Sequence, residues 1–301
     1  MFTISRRFAI AATLATALIS APALAQELTG TLKKIKETGV IMLGHRESSI
    51  PFSYYDDKQQ VVGYSQELML KVVDAVKAEL KLAKLDVKLV PVTSENRITL
   101  VQNGAVDLEC GSTTNTTERQ KQVAFSNTIF VVGNRLMVKA NSGIKDFADL
   151  AGKNVVTTAG TTSDRLLRQM NESRNMKMKI ISAKDHGEAF LTLESGRAVA
   201  FVMDEVLLYG ELAKAKTTSD WVVVGTPQLY QAYACMMRKD DAAFKKVVDA
   251  ALAKVMTSGE ADKIYARWFL QPIPPKGLNL NFQMSYALKK LYKSPNDKAY
   301  D

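Results

Sequence analysis

The sequence predicts an α/β protein of two lobes, each a mainly parallel sheet flanked by helices, joined by a two-strand hinge. Apolar strands alternate with amphipathic helices along residues 40–109, and the same alternation starts again after Arg135. Such an order is typical of mainly parallel sheets. No Pro- or Gly-rich linker separates the two sets, so ordinary strands must carry the chain between the lobes. The 301 residues suffice for two cores.

The first set has the order β-α-β-α-β. Apolar residues recur at three- and four-residue steps from Met69 to Leu80, which predicts a helix over residues 65–84 with Ser65 as its N-cap. Asn103-Gly104 ends a second, shorter helix. The remaining predicted elements are strands at residues 40–44, 87–92 and 105–109 and that short helix at residues 93–102.

The second set repeats this alternation of strands and helices. Its predicted strands cover residues 154–158, 179–182, 198–203 and 221–224, and its helices cover residues 146–150, a segment begun by Thr161, residues 185–195 and residues 205–212. Residues 128–138 and 231–238 are the predicted hinge crossings. The second crossing returns helices at residues 243–257 and 260–269 to the first lobe. The proline-containing tail after residue 270 is expected to be irregular and to wrap the surface.

These crossings divide the chain into predicted domains. Residues 1–25 form a signal peptide, residues 26–131 the first part of lobe 1, residues 132–231 lobe 2, and residues 232–301 the return to lobe 1. Arg6 and Arg7 precede an apolar run over residues 9–19, and Ala23-Leu24-Ala25 has the small-x-small pattern of a cleavage site. The run is too short to span about 30 Å of hydrocarbon. We therefore expect an exported protein.

Composition and motifs exclude several classes of function. The formal net charge is +9, but the lysines are spread at helical spacings instead of forming a basic patch, so nucleic-acid binding is not indicated. Neither a G-x-G-x-x-G nor a Walker loop occurs. The two histidines, His45 and His186, do not have the spacing of metal ligands, either with each other or with Cys110. We expect no metal site and no cofactor.

Cys110 and Cys235 are the only cysteines. An even number in an oxidising compartment makes them a candidate disulfide. Two separate buried thiols are the alternative, since free cysteine is often a core residue. The sequence leaves both interpretations open.

Polar side chains follow the strands of both sets, at the edge where open α/β sheets bind ligands. Three arginines stand against one carboxylate, which indicates an anionic ligand with a single cationic group. An acidic amino acid fits: Arg119 for one carboxylate, Arg46 and Arg97 for the other, and Asp204 for the ammonium. The candidate ligand-binding residues are Arg46, Ser94, Arg97, Ser112, Thr114 and Arg119 in the first set and Thr161, Thr162, His186 and Asp204 in the second.

Each candidate also has a purely structural interpretation, and only their joint placement favours a binding site. The alternatives are a solvated helix position for Arg119 or Arg97, a cap at Thr116, a surface ion pair of Arg46 with Glu47 or Asp56, a helix-start hydrogen bond for His186, and caps or turns for Asp204 and the hydroxyl residues.

The segment G-S-T-T-N-T-T-E-R-Q-K-Q-V-A-F-S at residues 111–126 resembles the family 3 solute-binding proteins of polar amino-acid ABC transporters. G-H-R-E-S-S-I-P-F-S-Y-Y-D at residues 44–56, G-T-T-S at residues 160–163 and E-S-G-R-A-V-A-F-V-M-D at residues 194–204 match as well. The resemblance implies a type II periplasmic binding protein fold whose lobes close on the ligand. It further implies a monomer that captures L-glutamate or L-aspartate in the periplasm and delivers it to a membrane permease and ATPase.

The same resemblance implies residue roles. Arg119, Ser112 and Thr114 would hold the α-carboxylate, with Thr162 closing from the second lobe and Thr161 sharing its turn. Asp204 would take the α-ammonium, and the side-chain carboxylate would lie among Arg46, Ser94, Arg97 and His186.

Two other classes of function compete with this interpretation. An enzyme on the same scaffold, such as a dehydratase of small acids, would need a general acid or base, for which His186 and Glu109 are the candidates. A sensor input domain is the other class, and it is disfavoured because no membrane-spanning or signalling segment follows Asp301.

Overall fold

The computed structural model describes residues 28–300, so the predicted signal peptide lies outside the described residues. The helices of this range are α1 (Gly30–Thr38), α2 (Tyr64–Glu79), α3 (Arg97–Gln102), α4 (Thr117–Gln120), α5 (Thr162–Ser173), α6 (His186–Glu194), α7 (Glu205–Leu212), α8 (Ala242–Thr257), α9 (Glu260–Phe269) and α10 (Tyr286–Lys293), with short 3₁₀ turns at Phe147–Leu150 and Thr218–Asp220. Of the helices in this part of the chain, none is long and apolar enough to cross a membrane.

The strands form one large sheet and two small ones. They are β1 (Val40–His45), β2 (Ser48–Ser49), β3 (Ser53–Tyr55), β4 (Val61–Val62), β5 (Asp86–Pro91), β6 (Leu108–Glu109), β7 (Val123–Lys139), β8 (Asn154–Thr158), β9 (Lys179–Ala183), β10 (Ala200–Asp204), β11 (Trp221–Val224), β12 (Tyr230–Arg238), β13 (Pro272–Ile273) and β14 (Leu278–Asn279). The large sheet has nine strands in the order β5-β1-β6-β12-β7-β10-β8-β9, with β11 on β7.

Two parallel groups make up this sheet. In one, β1 runs parallel to β5 and β6, and in the other, β8 runs parallel to β9 and β10. The long strand β7 joins them, because it pairs antiparallel with β12 as far as Gly133 and with β10 from Asn134 onward. The predicted α/β fold is thereby confirmed, with its two mainly parallel parts joined through the long strand β7 into one sheet.

Helix α9 packs onto the first group, as the predicted return of the chain across the hinge requires. Phe130 of β7 lies 4.9 Å from Phe52 and 5.1 Å from Phe269 between ring centroids. Tyr265, also on α9, stacks on Phe130 at 6.2 Å. Aromatic packing of this kind is worth more than its buried area alone, so the returning helix stabilises the side of the hinge that carries β1.

The tail prediction was wrong. Residues 272–279 form the antiparallel pair β13–β14, and Ser285 caps α10 by accepting a hydrogen bond from the backbone N–H of Leu288. Leu288 and Leu291 are buried on one face of this helix. The three prolines at residues 272, 274 and 275 favour irregular structure only in their own vicinity, and the amphipathic spacing of α10 begins after them. The small sheet β2-β3-β4 and helix α1 were also missed, since strands of two or three residues carry little periodicity.

Cys110 and Cys235 form a disulfide that joins the residue after β6 to the hinge strand β12. The cysteines are 125 residues apart in sequence, so the bond restricts a long loop of the unfolded chain. Replacing both cysteines by alanine is expected to lower the free energy of unfolding by about 2–5 kcal/mol. Urea denaturation of the ligand-free protein measures this loss, and reductant should lower the wild-type midpoint similarly. Coincident transitions for oxidised and reduced protein would contradict the prediction.

Candidate functional site

The strand ends of both groups meet around a small polar cavity. A wider surface groove between α1, α2 and α8 contains none of the predicted residues. Eight of the ten predicted residues line the cavity, and Arg46 and Arg119 are buried beside lining residues. The lining consists of Ser94, Arg97, Ser112, Thr114, Thr161, Thr162, His186, Met203, Asp204 and Leu207.

Arg46 and Arg97 are both buried, with 1% of each residue exposed. The surface pair of Arg46 with Glu47 or Asp56 is therefore absent. Arg97 begins α3 and donates from Nη1 to the Thr113 hydroxyl at 2.5 Å. Burial lowers the pKa of Arg97 and lowers that of Arg46 to about 10, and the neighbouring charge of Arg97 adds to the second effect.

Glu109 supplies a negative charge close to these two arginines and raises the pKa of both. Its carboxylate accepts hydrogen bonds from the Gly111 N–H at 2.8 Å and from the Thr113 hydroxyl at 2.6 Å. Glu109 is the carboxylate with the largest effect on both guanidinium groups, and Asp185 acts more weakly on Arg46 and Asp204 on Arg97. The local balance leaves about one positive charge, which an anion can neutralise.

His186 is the first residue of α6, but Asp185 caps the helix by accepting from the Glu188 N–H at 2.9 Å. Nδ1 of His186 lies 2.8 Å from the Thr158 hydroxyl. Burial lowers the pKa of His186 well below 6.5, and the charges of Arg46 and Arg97 lower it further. The ring is therefore neutral, and its proton lies on Nε2 in the tautomer whose Nδ1 accepts from the Thr158 hydroxyl.

Four buried polar atoms of the cavity have no hydrogen-bond partner among residues 28–300. They are Arg46 Nη1, Ser94 Oγ, Arg97 Nε and His186 Nε2. Each is able to donate a hydrogen bond. Buried polar groups are nearly always paired in native proteins, and each unpaired group destabilises the fold by about 1–3 kcal/mol. A cluster of four such donors therefore indicates an acceptor-rich ligand.

Arg119 is also buried, although its helix has the cap that the structural alternative predicts. Thr116 accepts from the Arg119 N–H at 3.2 Å, yet the guanidinium donates inward to the Thr114 carbonyl and to the Gly160 carbonyl, both at 3.0 Å. The second bond joins the two groups of the sheet. Burial lowers the pKa of Arg119 to about 9, with smaller contributions from Arg97 and Arg165.

Asp204 precedes α7, but its side chain makes no capping hydrogen bond to that helix. Oδ1 accepts from Asn134 at 2.5 Å and from Gln231 at 2.9 Å, and Oδ2 accepts from the Tyr233 hydroxyl. Burial raises the pKa of Asp204 to about 6 against the lowering effect of these hydrogen bonds. A buried carboxylate with this pKa favours a cation as its neighbour.

The hydroxyl residues of the cavity differ in their hydrogen-bond partners. Thr161 caps α5, accepting from the Asp164 N–H at 3.1 Å and donating to the Thr158 carbonyl at 2.7 Å, so its cap interpretation holds. Thr114 and Thr162 face each other, 3.4 Å apart between their hydroxyl oxygens, and both donate to Oε1 of Gln231. Ser112 lies 3.4 Å from the Ser49 hydroxyl.

Five residues that form hydrogen bonds with the predicted site residues were not predicted from the sequence. They are Thr113, Asn134, Ser163, Gln231 and Tyr233. Gln231 and Tyr233 stand two residues apart, so they lie on the same face of β12. A buried amide within an otherwise apolar strand was the available signal, since such a group needs several partners.

The two groups of the sheet are closed against each other around the cavity. Lys276 Nζ donates to the Lys214 carbonyl at 2.7 Å, and the Gly187 N–H donates to the Ser48 hydroxyl at 3.3 Å. Gly210 of α7 packs so closely on the Ile50 carbonyl oxygen that a methyl group there would overlap it. The structure is thus a closed form in which the strand ends bury one small polar space.

A polar cavity at the strand ends of two hinged α/β lobes defines a two-lobed solute-binding protein. The chain belongs to the bacterial extracellular solute-binding proteins, family 3, whose sequence profile matches residues 41–271. This is a family of transport proteins, and the chain is not an enzyme.

Similar proteins are known from several bacteria. The chain is 66% identical over 284 residues to an L-glutamate/L-aspartate-binding protein of Pseudomonas aeruginosa, which covers 94% of each chain. It is 59% identical to a glutamate/aspartate import solute-binding protein of Escherichia coli, over 97% of this chain and 95% of the relative. The crystal structure of a mutant of ArgBP from T. maritima has a TM-score of 0.71 at 26% identity, covering 79% of this chain and 98% of ArgBP.

Proposed function

We propose that this protein is the periplasmic substrate-binding component of an ABC importer that captures L-glutamate and L-aspartate. Two relatives covering nearly the whole chain carry glutamate and aspartate in their names. The observation that carries the proposal is the cluster of unpartnered donors on Arg46, Ser94, Arg97 and His186. These are the residues to which the family resemblance assigns the side-chain carboxylate.

A carboxylate suits this cluster in both charge and geometry. It is an acceptor with about four lone-pair sites, and hydrogen bonds between ions are about twice as strong as neutral ones. Arg46 and Arg97 exceed the charge of Glu109 by one, and the neutral His186 donates without adding charge. A side-chain amide would instead point an N–H at one of these donors. The cluster therefore selects acidic over amide side chains.

The amino-acid head group fits the other end of the cavity. Arg119 and Ser112 provide donors for the α-carboxylate, together with the backbone at Thr114 and the N-terminus of α5 at Thr162, where the helix dipole favours an anion. Asp204 receives the α-ammonium. Thr161 contributes by capping α5, which fixes the position of its neighbour Thr162.

Closure of the lobes is the event that the membrane permease and its ATPase would detect. We assign residues 26–131 and 232–301 to lobe 1 and residues 132–231 to lobe 2, and the change of partner along β7 after Gly133 supports a boundary in this region. All residues that line the cavity come from one chain, which supports our proposal of a periplasmic monomer.

Gly210 provides a test of closure that separates it from folding. Gly210→Ala is expected to weaken L-glutamate binding about tenfold, since the added methyl overlaps the Ile50 carbonyl only when the lobes close, and overpacking typically costs about 1–3 kcal/mol. Alanine also favours the interior of α7 by about 1 kcal/mol, so ligand-free stability should not fall. Calorimetry and urea denaturation measure the two effects.

Gly187→Ala is the matched control. Its methyl would lie 3.6 Å from Ser48 Cβ and 3.3 Å from Asp185 Oδ1, which are tolerable contacts. We expect less than about a threefold change in affinity. Unaltered binding by Gly210→Ala would contradict the closed arrangement as the binding form.

A thermal-shift screen against the twenty amino acids tests the proposed function directly. A ligand at 100 times its dissociation constant stabilises the folded state by about 2.7 kcal/mol. We expect the largest shifts with L-glutamate and L-aspartate. The proposal fails if neither acid raises the melting temperature or if a basic or apolar amino acid gives the largest shift.

A further inference from the structure

Gln231 occupies an unusual position for a hinge residue. It lies on β12 and is fully buried, with 0% of its surface exposed. Its amide makes every hydrogen bond that the group allows. Oε1 accepts from the hydroxyls of Thr114 and Thr162, and Nε2 donates to Asn134 Oδ1 at 2.8 Å and to Asp204 Oδ1 at 2.9 Å. The side chain thereby contacts both lobes.

The surroundings fix which way this amide points. The carboxylate of Asp204 has no proton to donate when ionised, so the NH₂ group of Gln231 must face it. Oε1 consequently faces the two threonines and takes the proton of each hydroxyl. Once those protons point at Gln231, only lone pairs remain on the hydroxyl oxygens. Thr114 and Thr162 line the cavity, whereas Gln231 is not among the lining residues.

We propose that Gln231 is a positioning residue that makes Thr114, Thr162 and Asp204 a set of hydrogen-bond acceptors for the ligand ammonium. The inference rests on the proposed function and refines it, because the two hydroxyls face the ammonium while Arg119, Ser112 and backbone N–H groups hold the α-carboxylate. Since Thr114 lies on one lobe and Thr162 on the other, all three acceptors come together only in the closed form.

The test compares L-glutamate with glutarate, which keeps both carboxylates but lacks the ammonium. Gln231→Met preserves the length of the side chain and removes all four hydrogen bonds. We expect the ratio of the glutamate to the glutarate association constant to fall about tenfold, which corresponds to one lost hydrogen bond. Glutarate binding itself should change less than about threefold.

Gln228→Met is the control, since the side chain of Gln228 is partly exposed and donates to the Thr226 carbonyl, outside the cavity. It should leave both association constants unchanged. Gln231→Asn, which keeps the amide but shortens its reach, should lower the same ratio and serves if the methionine variant does not fold. Equal losses for the two ligands would mean a merely structural role and would overturn the inference. A wild-type protein that binds neither ligand would instead contradict the proposed function.

Discussion

Replacing Arg97 by methionine is expected to weaken L-glutamate binding at least about a hundredfold and to change L-glutamine binding by less than about threefold. Losing one partner of a buried, hydrogen-bonded ion pair costs about 2–5 kcal/mol, because the other charge remains buried. Arg97 is buried and lines the cavity, and its Nε is one of the four unpartnered donors. Glutamine lacks the negative charge and loses far less. Isothermal titration calorimetry with both ligands measures the difference.

Arg168→Met provides the matched control. Its side chain is 56% exposed and pairs with Asp164 on the surface of α5, where ion pairs contribute little. Neither dissociation constant should change. Equal losses of glutamate and glutamine affinity in the Arg97 variant would show that the arginine acts on the fold and not on the side-chain carboxylate.

The affinity for L-glutamate is expected to fall about tenfold between pH 7 and pH 5. The pKa of Asp204 is raised to about 6, chiefly by burial, and the ammonium requires the ionised carboxylate. Below pH 6 the ligand must displace a proton, so affinity decreases by about a factor of ten per pH unit. Burial lowers the pKa of His186 well below 6.5, which keeps its ring neutral at pH 7.

Asp204→Asn removes this dependence. The variant should bind L-glutamate at least about a hundredfold more weakly at pH 7, because the ammonium is then buried without a counter-ion. Its ligand-free form should be more stable than wild type at pH 8. A carboxyl whose pKa is raised on folding destabilises the folded state above that pKa, and the destabilisation is relieved as the pH falls through 6.

Glu211 requires a background control in this experiment. It is buried beside Lys214 Nζ at 2.5 Å, and burial raises its pKa to about 7, within the same pH range. The pH dependence of binding should persist in Glu211→Gln, since Glu211 is not among the lining residues. A profile that disappears in Glu211→Gln and remains in Asp204→Asn would contradict the assignment.

The sequence predicted which polar residues the strand ends bring together. Polar residues after parallel strands meet at one edge whatever their spacing in the chain, so Arg46, Arg97 and Asp204 were found together. The burial of these side chains could not be predicted from the sequence. Only the three-dimensional arrangement distinguishes an inward guanidinium at Arg119 from a solvated one, because the Thr116 cap is compatible with both.

The hydrogen bonds that Asn134 and Gln231 form at the hinge could not be predicted in the same way. Asn134 and Gln231 lie on strands that the sequence identified correctly as crossings, but their partners come from elements far away in the chain. Glu109 is one of the two residues that the sequence offers as a general acid or base. Its charge raises the pKa of both Arg46 and Arg97, so it is a counter-ion to these arginines, a role that depends on proximity in the fold and not on local sequence pattern.

One comparison tests the central claim most directly: calorimetric titration of the wild-type protein at pH 7.5 with L-glutamate and with L-glutamine. The two ligands have nearly the same shape and differ in one carboxylate against one amide. A cavity whose unpartnered donors select a carboxylate predicts at least about a hundredfold tighter binding of glutamate, equivalent to about 2.7 kcal/mol. Equal affinities, or tighter binding of glutamine, would contradict the account.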